Sequence, residues 1–259
     1  MKLVHFVYIP FTGLGMINNG FMGQDWFENR ARIFKKYTLA SLANQTTKNF
    51  IIWISFRPEE KDNPVTEQIR QDIEEAGLKY VFTFNGIAMY DDRGTQHNKD
   101  LKERLGKMIE TLKPLIGDAE WVFKTDCGSD DMLSSVSIEE IQEEEPRISG
   151  ATYYLNGFIF NDQTGQVAEW KRNTSCSKYT LMFPVDIFLN PIRHYSYIGK
   201  LESHEFLPLV FDATRLPDGR YACAVHGYNI STAWSNPFRG EEYFGKEKQL
   251  IIKKFGLNL

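Results

Sequence analysis

Short apolar runs that alternate with helical segments constrain the fold of this chain most strongly. Four runs rich in β-branched and aromatic residues predict buried strands at 3–9, 50–56, 80–84 and 121–125. The segments between them have helical spacing and predict helices at 26–44, 63–76 and 99–115, the first capped by Asp25. Strands and helices in this order indicate an α/β fold, with a mostly parallel central sheet flanked by helices on both faces.

The pattern changes after Asp131. Apolar runs predict strands at 150–160, 166–171 and 220–224, a short acidic helix is predicted at 137–145, and a basic amphipathic segment at 247–255 predicts a packed terminal helix. We therefore expect one domain over 1–259, in which 1–131 form a Rossmann-like half and 132–259 form a mixed α+β half.

Charge and composition exclude several classes of function. The formal net charge of -4 lacks the basic surplus that a nucleic-acid groove needs, so no nucleic-acid partner is expected. No apolar stretch approaches the ~18 residues that span a bilayer, so no transmembrane segment is expected. The three cysteines have no Cys-x-x-Cys spacing, which favours reduced thiols and a cytoplasmic location.

Three carboxylates follow the fourth predicted strand. Asp126, Asp130 and Asp131 lie within six residues at its carboxyl end, where open parallel sheets bind ligands. Crowded carboxylates repel one another unless a cation is present, and hard oxygen ligands suit Mg²⁺ or Mn²⁺. The alternative is an ordinary acidic turn in which Asp130 caps the next helix.

Other polar residues are candidates from their positions. His226 follows the predicted strand at 220–224, where it could complete a metal site or contact a phosphate, although a lone histidine is more often structural. Glu205 could be the general base that activates an acceptor hydroxyl, although a surface loop residue is the simpler interpretation. Arg30 is expected on a solvated helix face beside Glu28, and Arg32 is a candidate for phosphate recognition.

Several segments together resemble a known family. The run RIFKKYTLASLANQT from Arg32 to Thr46, followed by Asn49-Phe50 and a strand, resembles the first helix and second strand of GT-A glycosyltransferases, and its cadence is similar to the putative rhamnosyltransferase family. The aspartates resemble an Asp-x-Asp (DXD) motif. Asn156-Gly157-Phe158 and Thr164-Gly165 are similar to the family's central strand and turn, and the segment from His226 to Asn229 matches the place of a late metal-binding histidine.

The resemblance, which covers about residues 4–234, implies a GT-A-like fold, with the nucleotide-sugar site in 1–131 and the acceptor site in 132–259. It implies a metal-dependent glycosyltransferase that moves rhamnose or another hexose from a UDP- or dTDP-sugar to a glycan or lipid-linked acceptor. The implied role is polysaccharide biosynthesis, in the cytoplasm beside a membrane.

The family usually has R-x-D-x-D-D after the fourth strand, whereas here Lys124 stands at the arginine position and two more residues separate the first two aspartates. The implied metal ligands are Asp130, Asp126 and Asp131, in that order of preference, with His226. Arg32, Lys124, Asp126 and Asn229 are the implied contacts to the nucleotide-sugar.

Two other functions remain open. A sugar nucleotidyltransferase on a related sheet would normally have a basic, glycine-rich loop after the first strand, and residues 11–23 have the glycines without Lys or Arg. A non-catalytic glycan- or nucleotide-binding module on the same fold would bind its ligand without turnover.

Overall fold

The structure is a computed structural model that describes residues 2–12, 23–85, 95–201, 203–227, 229 and 232–258. The described residues form these β-strands: β1 Leu3–Pro10, β2 Ile51–Ser55, β3 Tyr80–Thr83, β4 Trp121–Asp126, β5 Asp131–Leu133, β6 Gly150–Tyr153, β7 Gly157–Asn161, β8 Val167–Trp170, β9 Tyr179–Pro184, β10 Asp212–Arg215, β11 Tyr221–Val225 and β12 Arg239–Tyr243. They also form these α-helices: α1 Gln24–Ile33, α2 Ala40–Ala43, α3 Pro64–Glu75, α4 Thr95–Ile116, α5 Ser137–Glu143, α6 Val185–Phe188, α7 Pro191–Ile198, α8 Leu207–Val210 and α9 Gly245–Lys254.

The central sheet has seven strands in the order β10-β6-β9-β4-β1-β2-β3. The pairs β1–β2, β2–β3, β1–β4 and β6–β10 are parallel, whereas β9 runs antiparallel to both of its neighbours. The chain leaves β1 towards β2 and β3 and then returns to β4 on the other side of β1, so the strand order reverses between β1 and β4. The predicted α/β class with a mostly parallel central sheet is confirmed.

Helices cover both faces of this sheet. The strand β1 contributes apolar side chains to both faces, because successive residues of a strand point to opposite sides. Val7 and Ile9 pack on one face in the same cluster as Phe27 of α1 and residues of α3. Phe6 and Tyr8 pack on the other face, in a cluster with residues of α4 and α7. Three of the four apolar runs thus become interior strands, β1, β2 and β4, whereas β3 is the edge strand of the sheet and is only partly buried.

A second sheet has the order β12-β8-β7-β11-β5 and lies entirely after residue 130. Its strand β5 pairs antiparallel with β11, which brings the segment after β4 next to the end of β11. A third apolar cluster includes Ile251 and Ile252 of α9, so the predicted terminal helix is confirmed as a packed helix. The functional division into 1–131 and 132–259 stays a prediction, since strands from both ranges share the central sheet.

Three local predictions were wrong. The strand predicted at 150–160 is two strands, β6 and β7, in different sheets, because a continuous apolar run does not reveal where the chain changes sheet. The strands β5, β9, β10 and β12 were missed, because they are short or follow polar loop segments. Asp25 does not cap α1, since the helix already begins at Gln24 after Gly23 and has no side-chain cap.

The first predicted helix contains a break in its hydrogen-bond pattern. Residues Phe34–Leu39 form a π-helical segment between α1 and α2. The predicted glycine-rich loop at 11–23 lies for the most part outside the described residues. No helix in the described part of the chain is both long and apolar enough to cross a membrane.

Candidate functional site

A cavity of about 490 Å³ opens where the strand order of the central sheet reverses. Tyr8 and Pro10 of β1 and Asp126 of β4 line it, and Tyr8 stands opposite Asp126 in the parallel pairing. Side chains from the second sheet close the other side, among them Trp170 and Cys223. The cavity therefore lies at the place where open α/β sheets bind their ligands.

The three aspartates reach this cavity through a tight turn. The amide of Cys127 donates to the carbonyl of Tyr8 at 2.9 Å, which prolongs the pairing of β1 with β4 by one residue. The amide of Asp131 then donates to the carbonyl of Gly128 at 3.1 Å, and β5 begins at Asp131. Asp126, Asp130 and Asp131 consequently all line the same cavity.

Arg30 binds Asp130 through both arms of its guanidinium. Nη1 donates to Oδ2 at 2.9 Å and Nη2 donates to Oδ1 at 3.1 Å, while Nε donates to the hydroxyl of Ser129 at 2.6 Å. Arg30 is only 7% exposed, so the expectation that it lies on a solvated helix face was wrong. It belongs to the buried face of α1, where its guanidinium also lies 5.9 Å from the ring centre of Trp26.

Each of the other two aspartates also has a cationic partner. The ammonium of Lys124 donates to Asp126 at 2.6 Å, because alternate residues of a strand share one face and these two are two residues apart on β4. The ammonium of Lys178 lies 2.9 Å from a carboxylate oxygen of Asp131 and donates to the Cys223 sulfur at 3.0 Å. Three carboxylates thus face three protein cations.

His226 and Asn229 complete the surroundings of Asp130. The amide nitrogen of Asn229 donates to Asp130 Oδ2 at 2.9 Å, and Nε2 of His226 lies 3.3 Å from the same oxygen. Nε2 of His226 also lies 3.0 Å from Arg30 Nη1. Among the described residues, Nδ1 of this buried histidine has no hydrogen-bond partner. The structure therefore brings His226 and Asn229 to Asp130, and their roles as metal ligand and nucleotide contact stay predictions.

The charges shift the acidity of the three carboxyl groups in different directions. Burial acts to raise the pKa of Asp130, but Arg30, His226 and Lys178 outweigh it and hold that pKa well below its ordinary value. Burial raises the pKa of Asp126, and Lys124 offsets the rise only in part. Asp130 is therefore the most firmly ionised carboxylate of the three.

As arranged here, these residues do not fit a metal ion. The oxygens of Asp130 accept hydrogen bonds from Arg30 and Asn229, and those of Asp131 are taken by Lys178 and by the amide of Gly128 at 3.1 Å. Each carboxylate has about four lone-pair sites, so these bonds do not use all of them, and the misfit lies in the arrangement of the side chains and in the cations that already balance their charge. Within the described ranges, no group of three or more His, Cys, Asp and Glu side chains is arranged to hold a metal ion. The assignment of Asp126, Asp130, Asp131 and His226 as ligands stays a prediction.

Arg32 and Glu205 occupy different places relative to the cavity. Arg32 does not line it, since its guanidinium donates to Asp162 at 2.8 Å and to Asn29 at 3.0 Å on an exposed part of the surface. Glu205 does line the cavity, and it accepts a hydrogen bond from Arg172 at 2.9 Å. Their roles as nucleotide contact and general base stay predictions.

No family model matches the chain. No curated protein matches it either, so the comparisons rest on solved structures of low identity. Mouse xyloside xylosyltransferase 1 in its apo form is similar with a TM-score of 0.38 and 10% identity, over 78% of this chain and 75% of that one. A 4-diphosphocytidyl-2C-methyl-D-erythritol synthase has a TM-score of 0.38 and 10% identity, over 85% and 90% of the two chains. A Bacillus anthracis putative glucose-1-phosphate thymidylyltransferase has a TM-score of 0.37 and 13% identity, over 85% and 88%.

Because these similarities are weak, the chemistry of the site is interpreted from this chain's own residues. Sequence inspection missed three of them: Arg30, Lys178 and Arg172 all line the cavity. For Arg30 a signal was present, since it lies four residues after Trp26 and three after Phe27, on the apolar stripe of α1. Lys178 and Arg172 lie between two strands, one of which was itself missed, so nothing in the sequence placed them.

Proposed function

We propose that this protein transfers a glycosyl group from a nucleotide-activated sugar to an acceptor, in the cavity at the ends of β1 and β4. The observation that carries the proposal is the combination of place and lining. A cavity of about 490 Å³ at the reversal of strand order contains buried cations beside carboxylates. Its volume is typical of sites that enclose one small organic ligand.

The cationic lining supports a donor that carries a diphosphate. Lys178 and Arg172 present an ammonium and a guanidinium to the same cavity, and both groups suit phosphate oxygens. The resemblance of the segment from Arg32 to Thr46 to GT-A glycosyltransferases also favours a nucleotide-sugar over other phosphorylated ligands. A UDP- or dTDP-sugar, with rhamnose or another hexose, is the donor class we propose, and a glycan or lipid-linked hydroxyl is the acceptor.

The reaction requires one bond to form and one to break at the anomeric carbon. The acceptor oxygen bonds to that carbon, the bond from the carbon to the diphosphate breaks, and its electron pair leaves with the diphosphate. Glu205, at the half-exposed edge of the cavity, takes the proton of the acceptor hydroxyl. Cationic side chains at the diphosphate lower the barrier because negative charge increases there as the bond breaks.

A donor panel tests the proposal. The purified protein is incubated with UDP- and dTDP-sugars and sugar acceptors, with EDTA in one arm and MnCl₂ in the other, and release of the nucleoside diphosphate is measured. We expect release with at least one donor that increases when its acceptor is added. The matched variants are Glu205→Gln in the cavity and Glu103→Gln on the exposed face of α4, of which only the first should slow release.

Two outcomes would replace the proposal. Release of pyrophosphate from a nucleoside triphosphate and a sugar 1-phosphate, with no glycosyl transfer, would make the protein a sugar nucleotidyltransferase. Tight binding of glycans or nucleotides with no turnover of any donor would make it a binding module.

A further inference from the structure

Arg172 contributes a guanidinium side chain to the lining of the cavity. Its Nη2 donates to Glu205 at 2.9 Å, and its guanidinium lies 5.1 Å from the ring centre of Phe238, which fixes its orientation. Its Nε is buried and has no hydrogen-bond partner among the described residues. Because this N–H has almost no accessible surface, a ligand in the cavity would meet Arg172 through the exposed part of its side chain, which is 14% exposed.

Lys178 supplies a second cation to the lining of the same cavity. It is only 5% exposed, and its ammonium contacts Asp131 at 2.9 Å and the Cys223 sulfur at 3.0 Å. An ammonium has three hydrogens, so these two contacts leave one for a ligand in the cavity.

The charges of Arg172 and Lys178 both affect the pKa values of His204 and Cys176. Burial lowers the pKa of His204, and the charges of Arg172 and Lys178 both lower it further, against an opposing hydrogen bond to Ser175. Burial raises the pKa of Cys176, and the same two cations both oppose that rise. His204 and Cys176 line the cavity together with Arg172 and Lys178, so both cations belong to the wall of one cavity.

We propose that Arg172 and Lys178 bind the diphosphate of the donor directly, so that this protein binds its nucleotide without a divalent metal. The inference rests on the proposed function and specifies how its donor is held. It follows from the pairing of the aspartates: Arg30 and Lys178 already balance the charges of Asp130 and Asp131, and no group of three or more His, Cys, Asp and Glu among the described residues is arranged to hold a metal ion.

Calorimetry with two probes tests the inference. UDP and inorganic pyrophosphate are each titrated into the protein in EDTA and, separately, in MnCl₂. We expect the same Kd within about twofold in the two buffers. The variant Arg172→Gln should weaken both probes in EDTA by roughly 10- to 100-fold, which is the usual range for one charged hydrogen bond.

Matched variants separate a lost contact from a damaged fold. Arg215→Gln removes an arginine that pairs with Asp218 at 2.9 Å and does not line the cavity, so its Kd should equal that of the wild type. Arg172→Lys keeps the positive charge and should recover part of the affinity. Arg172 is safer to change than Lys178, because loss of Lys178 would leave Asp131 buried without its cation.

The outcomes distinguish this inference from the proposed function. Binding that needs Mn²⁺, or an unchanged Kd in Arg172→Gln, would overturn the inference and leave glycosyl transfer standing. Metal-free binding that Arg172→Gln weakens, with no turnover of any donor, would support the anion site and overturn the transferase proposal. Failure of both probes to bind under every condition would overturn both.

Discussion

The ion pair between Arg30 and Asp130 is expected to contribute to the stability of the fold. The two side chains are 9% and 15% exposed, and they share two hydrogen bonds at 2.9 and 3.1 Å. Asp130→Ala would leave the guanidinium buried, still bonded to Ser129 but without its counter-charge. Removing one partner of a buried pair typically lowers the free energy of unfolding by about 3–5 kcal/mol. For a chain of this length that corresponds to a fall in Tm of roughly 6–20 °C.

The double variant Arg30→Met/Asp130→Ala tests the cause of that loss. Replacement of a whole buried ion pair by apolar side chains is often neutral or stabilising, so the double variant should be more stable than Asp130→Ala alone. Asp186→Ala is the matched control, because Asp186 pairs with Arg193 on the surface, with both side chains more than half exposed. We expect the control to change the free energy of unfolding by less than about 1 kcal/mol.

Thermal denaturation followed by circular dichroism at pH 7 measures all three variants, with calorimetric enthalpies for conversion to free energies. A role for Asp130 as a metal ligand alone predicts loss of transfer in Asp130→Ala without a large change in Tm. The ion pair predicts a fall in Tm as well. A Tm within about 2 °C of wild type, or a double variant less stable than the single one, would refute the reasoning.

Three more predictions concern other parts of the structure. Burial acts to raise the pKa of Asp162, but hydrogen bonds from Arg32, Lys36 and Tyr37 hold it at about 2. The ionised Asp162 therefore stabilises the folded protein above about pH 4, and this contribution is lost as the pH falls towards 2. Asp162→Asn should make the Tm nearly independent of pH in that range. A Tm–pH curve identical to that of the wild type would contradict the prediction. Gly157→Ala should lower the free energy of unfolding by about 1–3 kcal/mol in chemical denaturation, because its Cβ would clash with the backbone oxygen of Tyr221; wild-type stability would show that the backbone moves to remove the clash. Glu205→Gln should lower kcat by roughly 10²- to 10⁴-fold with little change in donor KM, and an unaltered kcat would remove Glu205 as the base.

The strands β1 to β4 could be predicted because each is a continuous apolar run, which the structure buries on both faces in β1, β2 and β4 and partly buries in the edge strand β3. The strand β9 pairs with β4 in the same sheet, yet it escaped prediction. Its run from Tyr179 to Pro184 begins after the polar segment 171–178, and its place in the sheet depends on pairing with strands that are distant in the sequence. Local pattern cannot supply such long-range pairing, because it reports only periodicity and composition.

Part of the candidate site could likewise be predicted from the sequence and part could not. The cluster of aspartates could be located from the end of β4, since the carboxyl ends of parallel strands are where ligands bind. The cationic partners of these aspartates could not be located from the sequence. Arg30 lies 100 residues from Asp130 in the sequence, and Lys178 follows a loop whose path is set by the second sheet. The carboxylates are close together in the sequence, whereas their cationic partners are far apart in it. A metal site and an ion-pair site therefore have the same local sequence pattern, and only the folded structure distinguishes them.

One of the three pairs could nevertheless have been derived. Lys124 and Asp126 are two residues apart on a predicted strand, and strand geometry puts such residues on one face, side by side. A buried lysine beside Asp126 indicates that the charge of this carboxylate is balanced without a metal ion. The same logic extends to Asp130 and Asp131 once Arg30 and Lys178 are in place. Because Arg30, Lys124 and Lys178 each balance one of the three aspartates, an incoming anion would meet the guanidinium of Arg172, whose Nη2 pairs with Glu205, and the remaining N–H of Lys178.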